Sequence, residues 1–247
     1  MDAKQERLQK VIAQSGVTSR RKAEEYITAG RVKVNQEVIT TLGTKVSPTD
    51  EVAVDDVPIN KEKKVYYILN KPRGYISSVE DDKNRKTVLD LMEEVPERVF
   101  PVGRLDFNSS GLIVMTNDGN FANKLMHPKY EIKKVYVAKI EGIPTNDQLA
   151  HLQKGIKDDG ELLKAIDYHV QSKDKRKNNA IIELTLHEGK NRHVRRMMEG
   201  IGFPVQKLSR KQYGVLNLDG LASGKYRELT HQEKHQLLTT AHKNVKH

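Results

Sequence analysis

The chain reads as an α+β protein in which a small helix-and-strand unit precedes a larger domain with a mostly antiparallel sheet. Three observations predict this. Apolar residues recur at helical spacing through the first thirty positions, then alternate over short runs. A polar, proline-containing and charge-rich segment, Val57-Pro58-Ile59-Asn60-Lys61-Glu62-Lys63-Lys64, follows. From residue 65 to about 230, strand-like apolar runs predominate and helices intervene, an order that suits an α+β domain better than a doubly wound sheet.

Leu8, Val11 and Ile12 form a helical stripe that stops at Gly16. Thr18 or Ser19 can N-cap a second helix through Ala23, Tyr26 and Ile27, which ends at Gly30. Residues 31–35 and 37–39 alternate like strands around an Asn-Gln turn. Beyond the linker, a strand at 65–69 runs into Asn70-Lys71-Pro72-Arg73-Gly74-Tyr75, a turn with two cations. Further strands are expected at 112–115, 134–140 and 180–186, with a pair near 214–218 and 226–230. Helices are expected at 88–94, 119–126, 146–154 and 192–199. Residues 173–178 look like a solvated hairpin tip, and beyond Thr230 a short helix leads into a basic end. The expected divisions are 1–60, a linker at 61–64, a main domain at 65–235 and a C-terminal tail at 236–247.

Composition narrows the chemistry. Among 247 residues, 43 Lys and Arg face 33 Asp and Glu, a net charge of +10 that points to a polyanionic partner. The imbalance is local: residues 1–33 hold eight cations and four acids, whereas residues 34–60 hold one and five. Positive charge is thus concentrated on the first helices, as a phosphate-binding face requires. Zero cysteines exclude disulfides, thiol nucleophiles and cysteine-based zinc sites. The nine histidines form no metal-binding spacing, so no structural or catalytic metal is expected. The charged N-terminus lacks a signal-peptide core and no apolar run approaches the roughly twenty residues of a membrane span, so a cytoplasmic protein without membrane contact is expected.

Three stretches can carry chemistry. Gly103-Arg104-Leu105-Asp106-Phe107-Asn108-Ser109-Ser110-Gly111 places a carboxylate in a polar turn before the buried strand Leu112–Met115. An acid on a turn at the edge of a rigid strand suits a nucleophile, although a solvated turn-capping Asp would look the same. In the second stretch, around Lys134-Val135-Tyr136, alternation puts Tyr136, Ala138 and Ile140 on one strand face. The third is His187-Glu188-Gly189-Lys190-Asn191-Arg192-His193-Val194-Arg195-Arg196-Met197-Met198-Glu199-Gly200. Val194, Met197, Met198 and Ile201 form a core stripe, and Arg192, Arg195, Arg196 and Glu199 the other side. Three arginines at a helix start oppose its dipole, which an anionic partner would offset.

Gly103-Arg104-Leu105-Asp106 followed by Ser110-Gly111-Leu112 resembles the catalytic motif of RNA pseudouridine synthases. Ser19-Arg20-Arg21-Lys22-Ala23-Glu24 and Gly30-Arg31-Val32-Lys33-Val34-Asn35 resemble the S4 RNA-binding domain, with its α-L-like fold. Together with Lys134-Val135-Tyr136, the helix at 192–199 and Leu208-Ser209-Arg210-Lys211-Gln212-Tyr213-Gly214, they make nearly the whole chain similar to the RsuA/RluB family of ribosomal RNA pseudouridine synthases. One departure is His193, where some members carry an acidic residue.

The resemblance implies isomerisation of uridine to pseudouridine in ribosomal RNA without cofactor or metal. It implies Asp106 as the catalytic carboxylate and Tyr136 as a platform for the target uracil, with its hydroxyl placed for proton transfer. It implies Arg195 as the partner of Asp106, and Val194 as packing beside the base. A carboxylate withdrawn from water keeps its charge if an arginine holds it in a bidentate pair. Arg104, Lys71, Arg73 and Arg192 are the expected substrate contacts, and Arg20, Arg21, Lys22, Arg31 and Lys33 the expected RNA contacts of the first unit. Whether Asp106 attacks the sugar carbon or removes a ribose proton stays open. The run from Lys71 to Thr87 looks more like the RluB-type large-subunit enzymes, so 23S rRNA or a pre-ribosomal particle is the expected partner of a monomer. The alternatives are a 16S rRNA enzyme and a non-catalytic S4-type ribosome-assembly factor. An S4-linked methyltransferase is disfavoured, since no Gly-x-Gly-x-x-Gly run occurs.

Overall fold

The structure, a computed structural model, describes residues 5–243. They fall into two compact units, one running to Val65 and including Val95–Val99, the other comprising Tyr66–Glu94 and Phe100 onward.

The small unit packs α1 (Leu8–Gln14) and α2 (Arg20–Thr28) on a four-stranded sheet ordered Glu37–Val38, Val32–Val34, Val52–Val54, Val57–Pro58. Leu8, Ile12, Ala23, Ile27 and Val32 form its core, the stripe read from the sequence. Ser19 is the N-cap of α2, accepting from the Lys22 amide at 3.2 Å. Asn35 and Gln36 make the expected two-residue turn at φ +49° and +69°. The expected linker begins as part of this unit rather than as a free tether. Lys61 pairs with Glu6 at 2.9 Å, and the Glu62 amide donates to the Gln14 carbonyl at 2.9 Å. Residues 1–4 of the expected first domain lie outside the described residues.

The large unit is built on a nine-stranded sheet. Its main path runs Asp167–Asp174, Asn179–Leu186, Lys134–Glu141, Val205–Tyr213, Ser109–Thr116, Tyr66–Lys71 and Tyr226–Glu228. Leu216–Asn217 and Phe100–Val102 add to it. Within this sheet all pairings are antiparallel except one: Val205–Tyr213 runs parallel to Ser109–Thr116, with Arg210 opposite Gly111. Four helices accompany the sheet: α3 (Gly119–Met126), α4 (Asn146–Lys154), α5 (His193–Gly200) and α6 (His231–Lys243). Ile68, Leu112, Val114, Leu125 and Tyr213 anchor the core.

Three expectations change. Residues 88–94 form only a single 3-10 turn, Val88–Leu91, closed by Thr87 and Asp90 in a capping box. The tail expected from 236 is the greater part of α6, because Leu237 and Ala241 are fully buried in the core; residues 244–247 lie outside the described residues. Val205–Tyr213 and Asp167–Asp174 are strands that the apolar pattern did not announce, since both are largely polar outward.

The parallel seam explains one residue of the Ser110-Gly111-Leu112 run. Gly111 sits at φ +113°, and a Cβ there would stand 2.2 Å from the Arg210 carbonyl oxygen and 2.6 Å from its nitrogen. Both obstacles are backbone, so no side chain can move aside. Gly111→Ala should cost at least about 3 kcal/mol. Thermal unfolding should then show Tm lower by roughly 6–12 °C.

Candidate active site

The turn that carries Asp106 is fastened from two sides. Beneath it lies Lys71, fully buried, whose Nζ donates to the carbonyls of Pro72 at 3.1 Å, Asp106 at 3.1 Å and Ser109 at 2.7 Å. Above, the Ser77 hydroxyl accepts from the Leu105 amide at 3.0 Å and donates to the Leu105 carbonyl at 2.9 Å. The Gly74 amide adds a bond to Phe107 O at 2.9 Å. The Lys71-Pro72-Arg73-Gly74 turn is therefore a clamp on the acid-bearing loop. This corrects the expectation that Lys71 contacts substrate: its ammonium is enclosed by carbonyls and does not line the cavity below. Burial lowers the Lys71 pKa to about 8, with the Asp106 charge opposing and Arg210 reinforcing the shift. Arg73 is exposed and likewise outside the cavity lining.

Asp106 opens onto a cavity of about 630 Å³, within the range of small-molecule sites. Tyr136, Val194, Arg104 and Arg192 line the same cavity, so the residues singled out from three separate stretches converge. Tyr136 and Val194 are buried, at 8 % and 3 % exposure, while Arg104 and Arg192 are exposed at the rim. Arg192 is the N-cap of α5 in the left-handed region, φ +47°, so the helix begins at His193, one residue later than expected.

Arg195 lies behind Asp106, 8 % exposed. Nη1 donates to the Val205 carbonyl at 3.0 Å, and Nη2 reaches the Asn108 carbonyl at 3.3 Å and Ser109 Oγ at 3.5 Å. Its Nε is buried without a hydrogen-bond partner and stands 4.0 Å from Asp106 Oδ2. The expected bidentate pair is thus a single long ion pair. The other two nitrogens are spent on the loop and the Val205 strand, so the guanidinium is fixed before it reaches the acid. Arg196, its neighbour, turns away to Asp158 at 2.5 Å and Glu161 at 2.6 Å.

The sequence reading left out the inner wall. Arg210 is 3 % exposed on the Val205–Tyr213 strand; its Nε donates to the Leu112 carbonyl at 2.7 Å and its Nη1 to the Tyr136 hydroxyl at 3.4 Å. Lys134, also buried, donates to the carbonyls of Ile132 at 3.0 Å and His187 at 2.8 Å. His193 is 5 % exposed with neither ring nitrogen hydrogen-bonded, and burial brings its pKa down to about 4, so the ring is neutral near pH 7. Arg210 stood in the run Leu208-Ser209-Arg210, where alternation with Leu208 would have aimed it inward had the strand been recognised.

In the small unit, Arg20 and Arg21 are exposed on the first turn of α2. Lys22 pairs with Glu25 at 2.6 Å. Arg31 is held bidentately by Asp55, at 2.8 and 2.5 Å, and stacks 3.8 Å over Tyr26; Lys33 pairs with Asp56 at 2.5 Å. Three of the five expected RNA contacts thus already have a carboxylate.

A carboxylate on a clamped turn, a fixed guanidinium behind it and a buried tyrosine across an open cavity form a site for attack on, or proton removal from, a flat polar substrate. Comparison with known proteins decides its class: the family model described as RNA pseudouridylate synthase matches residues 65–200, more than half of the chain. The chain belongs to this family. Residues 6–52 match the S4 domain, so the synthase carries an N-terminal S4 domain. It is 53 % identical over 237 residues to ribosomal large subunit pseudouridine synthase B of Bacillus subtilis, covering 96 % of this chain and 97 % of that one. It is 42 % identical to an uncharacterized RNA pseudouridine synthase of Aquifex aeolicus, covering 94 % and 93 %. A pseudouridylate synthase crystal structure superposes with a TM-score of 0.63 at 27 % identity, covering 94 % of this chain and 99 % of that one.

Proposed function

We propose that this synthase converts a specific uridine of large-subunit ribosomal RNA to pseudouridine, with Asp106 opening the glycosidic bond. The observation that carries the reading is the convergence on one cavity of Asp106 and Tyr136, with the partnerless Nε of Arg195 4.0 Å from the acid. The target uridine is flipped out of its stack, at a cost of a few kcal/mol offset by stacking on Tyr136 and by backbone contacts. Val194 packs beside the base, and Arg104 and Arg192 at the rim take backbone phosphates. Arg195 orients Asp106. The choice of the large subunit follows the similarity to the Bacillus subtilis enzyme. The enzyme works in the cytoplasm as a monomer, on ribosomal RNA or a pre-ribosomal particle, without cofactor or metal. Among the described residues no helix is long and apolar enough to cross a membrane, in keeping with that place of action.

The test is a pseudouridine map of ribosomal RNA from cells lacking the gene, complemented with wild type or Asp106→Asn. Loss of one large-subunit modification, restored by wild type alone, is the expected result. Loss at a small-subunit position would reassign the substrate, and an unchanged map would overturn the reading.

The S4 domain anchors the RNA through α2. Arg20→Ala with Arg21→Ala should weaken RNA binding and reduce the slope of log K against log salt by about 1 per arginine. Lys33→Ala should change the slope less, because Lys33 already has Asp56 as counter-charge. Filter binding across a salt series measures both.

A further inference from the structure

The cavity is charged in an uneven way. Six cationic side chains line it, and Asp106 is the one carboxylate among the described residues that do so. Arg104 and Arg192 are exposed, where phosphates can reach them. Arg210 and Lys134 are different: both are at least nine-tenths buried, and neither forms an ion pair with a carboxylate among the described residues. Arg210 Nη2 is buried with no partner at all. A buried cation without counter-charge is costly and is retained where an anion arrives to meet it. The two repel each other as well: burial and then Arg210 bring the Lys134 pKa down to about 8. Arg210 and Lys134 thus form the buried side of the cavity, apart from the exposed Arg104 and Arg192, where a group inserted into the cavity rather than a backbone phosphate would meet them.

We propose that Arg210, with Lys134, forms an anion-stabilising wall for the uracil ring as it leaves the sugar, Arg210 acting through the Tyr136 hydroxyl. This rests on the pseudouridine synthase reading of the site. Tyr136 accepts from Arg210, and no acceptor among the described residues takes the tyrosine's own proton. That proton is directed at the cavity, on a donor polarised by the guanidinium behind it. The charge to be met arises on either route open to Asp106. The C1′–N1 bond breaks and its electron pair leaves with the base, while C1′ bonds the carboxylate or C2′ gives it a proton. The uracil monoanion spreads its charge over N1, O2 and O4 and turns. Its C5 then bonds C1′, and the carboxylate is released or returns its proton to C2′. C5 loses its proton and N1 gains one, so the net change is an isomerisation. A preorganised positive wall is worth most where charge develops in a site closed to water. Arg210 is thus a positioning residue, and Tyr136 the group that touches the base.

The experiment compares two RNAs, identical but for uridine or 5-fluorouridine at the target, in single-turnover loss of the N1-linked nucleotide, the step that both share, since a fluorinated C5 has no proton to lose at the end. Fluorine withdraws electrons and makes the base a better leaving group, so it needs less help from the wall. Arg210→Gln should slow the uridine RNA by roughly 100-fold and the fluorinated RNA by at least tenfold less, and Arg210→Lys should restore most of the rate on both. Equal slowing on the two RNAs, or none, would overturn the proposal, since misplacement of Tyr136 alone does not depend on leaving-group acidity. If Arg210→Gln does not fold, Lys134→Gln is read with the same pair, and equal slowing there overturns it too. A wild-type enzyme inert on both RNAs would instead bring down the functional reading on which the wall depends.

Discussion

Asp106→Asn is expected to abolish pseudouridine formation, by at least roughly 10⁴-fold, and to leave RNA affinity within about twofold. The amide has the shape of the carboxylate but can neither bond the sugar carbon nor accept a ribose proton, so both available routes close together. The fold survives because the turn does not depend on this side chain. Lys71, Ser77 and Gly74 hold the backbone carbonyls and amides of residues 105–109, and the carboxylate is one of the more exposed parts of the loop, at 37 %. Arg195 loses a 4.0 Å ion pair but keeps its bonds to Val205, Asn108 and Ser109, a loss of about 1 kcal/mol or less. Affinity survives because cations, not this acid, meet the phosphates. Release of tritium from RNA labelled at uracil C5 measures turnover, and filter binding measures affinity. A variant that still releases tritium would remove Asp106 from the reaction.

The carboxylate proposed to act on the sugar, Asp106, stood out in the sequence because it sits in a compact run, and the structure places it on the cavity. Gly103 to Leu112 contains the turn, the acid and the glycine that the parallel seam demands. Tyr136 and Arg195 were legible by resemblance, and their meeting with Asp106 depends on a sheet order that local periodicity does not encode. The strand that joins them, Val205–Tyr213, was missed because its outward residues are Gln206, Lys207, Lys211 and similar polar groups, so no apolar alternation marks it. With that strand went Arg210. The role of Lys71 was misjudged for a related reason: a lysine beside a proline and a glycine looks solvated in one dimension. Only the return of the chain at 106–109 supplies the three carbonyls that enclose it.

Lys71→Met is expected to lower kcat by roughly 100-fold while KM stays within about twofold, the reverse of what a phosphate contact would produce. Methionine fills much of the lysine's volume, so the packing is nearly retained. What it lacks is the three-donor ammonium that ties Pro72, Asp106 and Ser109 together. Three buried carbonyls then compete for no donor, at about 1–3 kcal/mol for each group left unmet. Part of this is offset because a desolvated charge, whose pKa burial had already brought to about 8, is removed with it. The net loss of stability should be about 2–3 kcal/mol. The loop relaxes toward other partners, and Asp106 moves off the line set by Arg195 Nε. Lys71→Arg should not restore the rate, since a planar fork cannot converge on three carbonyls enclosing a single point. Single-turnover rates across RNA concentrations separate the two roles: a raised KM with kcat intact would return Lys71 to the substrate surface, and a fallen kcat at unchanged KM makes it the clamp beneath the catalytic turn.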